Sequence, residues 1–220
     1  MGEGFRTGFF ISGQGRLFRA AANARARLGI TPSLVVAESG AAADLEDFCA
    51  RRRIPFERLE PSDRRAFDHN LTRLAVDGRL DLLCLTFARI LPDDLVGHYR
   101  RRIINVHPAL LPSFPGINAL GRAVTSGARF SGATIHEVTE AVDAGPIVAQ
   151  CLLGIRRHET GDAFGQRLFI ILRLMFLQVL AWYGAGRVVH DDQGQVWIRN
   201  AVYGELPISP AVELDFAEQA

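Results

Sequence analysis

The sequence predicts an α/β fold: a doubly wound, mostly parallel central sheet with antiparallel additions towards the C-terminus. Three observations predict it. Short apolar runs alternate with helical stretches through the first half, which is the pattern of βαβ units. Residues 80–87 form a nearly continuous apolar run, as a central strand buried on both faces requires. The strand-like runs 132–138 and 147–153 lie close together in the second half, which suits antiparallel pairing.

The elements follow in order. Residues 7–11 read as a first strand, and Ser12-Gly13-Gln14-Gly15 as a turn. Residues 16–28 are Ala-rich, with Leu17, Ala20, Ala21 and Ala24 at helical spacing. Residues 33–37 give a second strand, 41–53 a second helix with Leu45 and Phe48 inward, and 54–56 a short third strand. Ser62 can cap a helix running towards Val76. After the central strand, Pro92-Asp93-Asp94 opens a helix with its acidic pair at the positive end. Residues 102–106 are the next strand, and 119–126 a helix beyond a loop rich in proline. The antiparallel strands meet at the turn Asp143-Ala144-Gly145-Pro146. A long apolar helix follows Thr160-Gly161-Asp162, then a small hairpin around Gln193-Gly194, then an irregular tail with Pro207 and Pro210. Residues 1–200 read as a single domain and 201–220 as the tail.

Composition excludes several classes. The chain has 220 residues, 48% of them apolar, and a net charge of +1. Nothing in that balance calls for nucleic acid or an acidic membrane as a partner. All 25 basic residues are arginine, which fits a GC-rich coding bias. Cys49, Cys84 and Cys151 are odd in number and far apart, with no CxxC pair. That argues against a disulfide framework and a zinc site and suits a reducing compartment. Residues 1–6 lead into no long apolar run, so no signal peptide is expected and a cytoplasmic location is. Residues 168–183 are the best membrane candidate, but Arg173 and Gln178 interrupt them. A buried helix is the preferred reading, so no membrane partner is expected.

One stretch invites chemistry. Residues 103–116 bring an amide and an imidazole two positions apart at the end of an apolar run, and prolines then stop the chain. Residues at i and i+2 on a strand share a face, so Asn105 and His107 should point the same way. Ligands of such sheets sit beyond the carboxyl ends of the strands. Residues 12–15, 87–91 and 105–108 lie at such ends and should converge on one cleft. Gly13-Gln14-Gly15 suggests a nucleotide turn, but the third glycine of GxGxxG would fall on Phe18. Two readings stand for it: an anion nest at a helix N-terminus, or a tight turn that binds nothing. Taken alone, His107 reads as a satisfied loop histidine and Asp143 as a turn aspartate before glycine.

Together, two segments resemble a known family. Residues 105–116 follow N-x-H-P-x-L-L-P-x-(F/Y)-x-G, and residues 132–146 follow G-x-T-x-H-x-V-x-x-x-x-D-x-G-P. Ser12-Gly13-x-Gly15, Arg89-Ile90-Leu91, Trp182 and Gly186-Arg187-Val188 extend the likeness over nearly the whole chain. The chain resembles the folate-dependent formyltransferase family, whose acceptors include phosphoribosylglycinamide (GAR). The resemblance implies a Rossmann-like formyltransferase fold, 10-formyltetrahydrofolate as co-substrate and no metal. It implies a catalytic triad of Asn105, His107 and Asp143. Asn105 would donate to the tetrahedral oxyanion. His107 would stabilise the same oxygen as imidazolium or relay protons. Asp143 would raise the histidine pKa and order a proton-carrying water. The folate pocket would use Ala88, Arg89, Ile90, Leu91 and Val96, with Val138, Thr139, Glu140, Ala141 and Val142. Ile90, Leu91 and Val96 also read as ordinary core residues. The acceptor side would use Ser12, Gly13, Gln14, Gly15, Arg16 and Pro108.

The acceptor half departs from the family pattern. The usual S-G-x-G-S-N turn ends here in Arg16-Leu17, and the acceptor-contacting carboxylate of the long helix falls near Leu172, with no carboxylate close by. Ile117-Asn118-Ala119 lacks the polar histidines common after the glycine. The acceptor is therefore GAR or another small amine, such as an amino sugar or amino acid derivative. Two further readings are a formyltetrahydrofolate hydrolase and a folate-binding protein without turnover. The hydrolase normally carries an N-terminal regulatory domain, whereas about six residues precede the first strand here. The apolar helix reads as a core helix, an apolar acceptor pocket or a dimer interface, so monomer and homodimer both stand.

Overall fold

A computed structural model of the chain describes residues 4–60, 62–87 and 89–215. The chain divides into two compact units, one of residues 1–105 with 138–140, the other of residues 106–137 with 141–220.

In the first unit strands and helices alternate: β1 (Phe5–Ile11), α1 (Arg16–Leu28), β2 (Ile30–Glu38), α2 (Leu45–Arg52), β3 (Phe56–Leu59), α3 (Arg64–Asp77), β4 (Leu82–Thr86) and α4 (Asp93–His98). Strand β5 (Ile103–His107) follows and crosses into the second unit after Asn105. The order is β5-β4-β1-β2-β3, with every pair parallel. Period-2 alternation on β1 makes the sheet doubly wound. Phe9 packs on Phe18 of α1 at 5.1 Å between ring centroids, and Phe18 on Phe48 of α2 at 5.6 Å. Phe10, on the opposite face, joins a core with Phe67 and Leu71 of α3 and Leu95 and Val96 of α4. The buried Tyr99 hydroxyl is satisfied there, donating to the Ala75 carbonyl at 2.6 Å and accepting from the Leu80 amide at 3.4 Å.

Helix α2 and strand β3 start later than expected. Helix α2 begins at Leu45 rather than 41, because the preceding residues spend their backbone groups in turns. The Ala42 amide donates to Gly13 O, and Arg58 donates to the carbonyls of Glu38, Ala41 and Ala42. Strand β3 begins at Phe56 rather than 54: the Ile54 amide still donates to Cys49 O at the helix end, and Pro55 has no N–H to give a ladder. The cap of α3 is Asp63, not Ser62; its side chain accepts from the Arg65 and Ala66 amides.

The second unit holds the end of β5, then α5 (Ala119–Thr125), β6 (Phe130–Glu137), β7 (Ile147–Gly154), α6 (Gly161–Gly184), β8 (Val188–His190), β9 (Val196–Ile198) and β10 (Ile208–Ser209). Strands β6 and β7 pair antiparallel, and β8 with β9 forms the separate small hairpin. The tail read as irregular contributes β10, which pairs antiparallel with β7; residues 216–220 lie outside the described residues. Helix α6 is long and apolar enough to cross a membrane, and half of its most apolar window is buried in the fold. Residues 175–180 are buried all the way round the helix, which favours the core-helix reading for that part. Cys49, Cys84 and Cys151 are free and buried, and burial pushes the thiols of Cys49 and Cys151 up to about 11.

Candidate active site

Strand β5 delivers Asn105, half-buried, and His107, 4% exposed. The loop after it turns through left-handed backbone at Phe114, Gly116 and Asn118. Proline at 112 and 115 restricts the same loop. The result is a stiff frame of main-chain groups. His107 Nε2–H donates to the Phe114 carbonyl at 2.9 Å. A carbonyl can only accept, so that nitrogen carries the proton. The opposite nitrogen, Nδ1, lies 3.3 Å from Asp143 Oδ2. It donates there only when the ring holds its second proton and is an imidazolium.

Asp143 sits in the turn between β6 and β7, itself in the left-handed region at φ 53°, a conformation aspartate tolerates better than most residues. Its side chain is 11% exposed and has one main-chain donor and two imidazoles around it. The Gly116 amide donates to Oδ2 at 2.7 Å, His107 faces the same oxygen, and His136 Nε2 lies 3.5 Å from Oδ1.

His136 is the residue the sequence reading left without a role. It is 2% exposed on β6, and its Nδ1–H donates to the Glu137 carbonyl at 2.9 Å. Burial holds its pKa below the ordinary 6.5, against the opposing pull of the Glu137 carbonyl and Asp143. Asp143 thus lies between two imidazoles whose outer nitrogens both donate to carbonyls. The available signal was alternation: Thr134 and His136 are two apart on a strand leading to the turn that holds Asp143.

Thr134 seats the loop that follows His107. Its buried hydroxyl donates to Ala109 O at 2.8 Å and accepts from the Leu111 amide and from Gln150 Nε2, each at 3.0 Å. Gln150 also donates to Leu111 O at 2.9 Å.

The other predicted positions lie as follows. Ala88 is outside the described residues. Arg89 pairs with Glu38 and lies over the Phe67 ring, 5.1 Å from its centroid. Leu91 and Val96 are buried in the core, whereas Ile90 is 61% exposed. Val138 packs against that core, Thr139 is half-buried, and Glu140, Ala141 and Val142 are exposed. Ser12 donates from its hydroxyl to Thr86 O at 3.3 Å. Gly13 and Gln14 are exposed, and Gly15 starts α1 at φ 65°. A Cβ at Gly15 would meet Leu45 at 2.7 Å, so both backbone and space require glycine there. Arg16 is exposed, Pro108 is half-buried and Leu172 is buried. Among the described residues no group of three or more His, Cys, Asp or Glu could hold a metal ion.

Comparison with known proteins fits this geometry. The family model described as "Formyl transferase" matches residues 5–178. A phosphoribosylglycinamide formyltransferase of Bacillus subtilis (strain 168) is 37% identical over 114 residues, which is 51% of this chain and 58% of that protein's length. The crystal structure of phosphoribosylglycinamide formyltransferase from Anaplasma phagocytophilum superposes with a TM-score of 0.81 at 28% identity, over 89% of this chain and 95% of that one. A formyltetrahydrofolate deformylase of Pseudomonas syringae pv. tomato shares the fold at a TM-score of 0.80 and 23% identity, over 88% of this chain and 65% of that one. The fold is accordingly a Rossmann-like one with a mixed, mostly parallel sheet.

Proposed function

The chain belongs to the formyl transferase family, and on that basis we propose that it transfers a formyl group from 10-formyltetrahydrofolate to a small amine. The observation that carries the reading is Asp143 held between His107 and His136, with Asn105 two residues before His107 on the same strand. Formyl transfer to an amine passes through a tetrahedral oxyanion. A fixed amide donor and an imidazolium balanced by a carboxylate stabilise such a charge. His107 bonds Phe114 O through one nitrogen and faces Asp143 with the other, so its ring is held in one orientation. Asn105 is the oxyanion donor on this reading.

The folate side uses the exposed Ile90 and the main chain near it, since Leu91 and Val96 spend their side chains on the core. The segment Val138 to Val142 completes that side. GAR is the first acceptor to test, because the matched relatives include GAR formyltransferases. The turn Ser12 to Arg16 offers an acceptor anion the N-terminal end of α1, which carries no acidic residue in its first turn.

The test follows deformylated folate from 10-formyltetrahydrofolate with and without GAR. Release that depends on GAR supports GAR as acceptor, whereas release without an acceptor supports hydrolysis. No release with any amine overturns the reading. Asn105→Ala and His107→Ala should each lose roughly 2.7–4 kcal/mol of transition-state stabilisation, or about 100- to 1000-fold in turnover. Near-native rates in either variant would sink the assignment of that residue.

A further inference from the structure

Glu137 is 1% exposed and carries a carboxylate. Such a group is buried only with partners. It has two: the Tyr183 hydroxyl donates to Oε1 at 3.0 Å, and His190 Nε2 lies 3.0 and 2.9 Å from the two oxygens. Tyr183 is near the end of α6 and His190 is on β8, so three elements meet at this carboxylate. Alternation turns the Glu137 side chain away from the face of β6 that carries His136. It reaches the site through its backbone instead. Its carbonyl accepts the His136 Nδ1 proton at 2.9 Å. Its amide donates to Pro146 O at 2.8 Å, tying down the turn that follows Asp143.

Main-chain bonds reach the amides on either side of this carbonyl, Glu137 N–H to Pro146 O at 2.8 Å and Val138 N–H to Ile103 O at 2.9 Å, and the His136 ring bonds the carbonyl itself. The register between β6 and β7 shifts between Ile135 and His136. At such an irregularity the regular pairing is locally broken. An apolar side chain would fill the space without the desolvation cost of a buried charge. A hydrogen-bonded carboxylate does something a filler cannot: it fixes one orientation of the peptide.

We infer that Glu137 is a positioning residue: its carboxylate, held by Tyr183 and His190, fixes the peptide that keeps His136 in its Nδ1–H tautomer with Nε2 turned to Asp143. This rests on the proposed formyl transfer only for its effect on rate, because the tautomer is defined without substrate.

The experiment compares Glu137→Gln, which still accepts hydrogen bonds, with Glu137→Leu, which does not. The His136 tautomer is read from the imidazole nitrogen shifts of 15N-labelled full-length protein, and turnover is measured alongside. Wild type and Glu137→Gln should show the Nδ1–H form. Glu137→Leu should show a mixture, with kcat lowered about tenfold or more at nearly unchanged KM for the folate. A wild-type tautomer in folded Glu137→Leu overturns the inference, as does a loss of kcat with the tautomer unchanged. If Glu137→Leu does not fold, Tyr183→Phe and His190→Leu remove the partners singly, and an unmoved tautomer in both overturns it. A wild type that transfers no formyl group defeats the functional reading and leaves the tautomer comparison to decide this one.

Discussion

Replacing Thr134 with valine exchanges one hydroxyl for a methyl group at a site with 0% exposure. Volume is nearly kept, so the cost is polar. Three groups lose a partner: the Ala109 carbonyl, the Leu111 amide and one bond of Gln150 Nε2. Gln150 keeps Leu111 O at 2.9 Å and is not orphaned. The two main-chain groups have no other partner in this network. Each buried group left unsatisfied costs about 1–3 kcal/mol, so the pair sets a loss of about 2–4 kcal/mol once some relaxation is allowed. In a chain of this size that lowers Tm by roughly 5–15 °C. Urea unfolding of wild type, Thr134→Val and Thr134→Ser checks it. The serine variant should recover most of the loss, and the midpoints should move with little change in slope. A valine variant within about 0.5 kcal/mol of wild type, the range of an indifferent surface change, would refute the claim that this hydroxyl seats the loop.

Other outcomes follow from single contacts. At Gly132 an added Cβ would sit 1.7 Å from the Cys151 carbonyl oxygen of the paired strand. Gly132→Ala should therefore lose about 3 kcal/mol or more, read by urea denaturation, and native stability would show that the strands can part. His136 has its pKa lowered by burial below the ordinary 6.5. Between that lowered value and 6.5 the unfolded chain binds more protons than the folded one. Stability should thus be full above about pH 6.5 and fall as pH drops through this window. His136→Asn should flatten that part of the stability–pH curve; an unchanged slope would remove His136 as the cause.

Much of this fold follows from local signals. The helix that starts at Gly15 and stops at Gly29 has two left-handed glycines for ends, and the apolar run through Leu82 to Thr86 becomes the parallel strand its continuity requires. The misses have one physical source. Helical composition at 41–44 is overridden by Arg58, seventeen residues away from Ala41, which bonds the carbonyls a helix would have used. A short strand such as Ile208–Ser209 has no periodicity of its own and exists because β7 offers an edge. The site is legible in the same uneven way. His107 and Asp143 come together at 3.3 Å, yet nothing in their separation along the chain predicts it; two long motifs do. A buried histidine on an apolar strand is most often a core residue, and the placement of the His136 ring between Asp143 and the next carbonyl shows otherwise.

Asp143 is where these threads cross, and the crossing has a measurable consequence. Its oxygens are reached from two directions. One is the loop that Thr134 seats, which brings the Gly116 amide to Oδ2 and the Phe114 carbonyl to the ring of His107. The other is the peptide after Glu137, whose carbonyl fixes the second imidazole. The side chains at Pro112, Ser113, Pro115 and Ile117 are exposed, so the loop serves the centre chiefly through its backbone. A loosened loop displaces one histidine, and a loosened peptide after Glu137 displaces the other. Both changes degrade one shared carboxylate, and a carboxylate already out of place loses less to the second change. Residues joined through a common partner couple by about 0.5–3 kcal/mol. The double variant Thr134→Val with Glu137→Leu should therefore lose less turnover than the product of the single losses. Strictly multiplicative losses would mean that the two anchors act independently, and Asp143 would not be their common point.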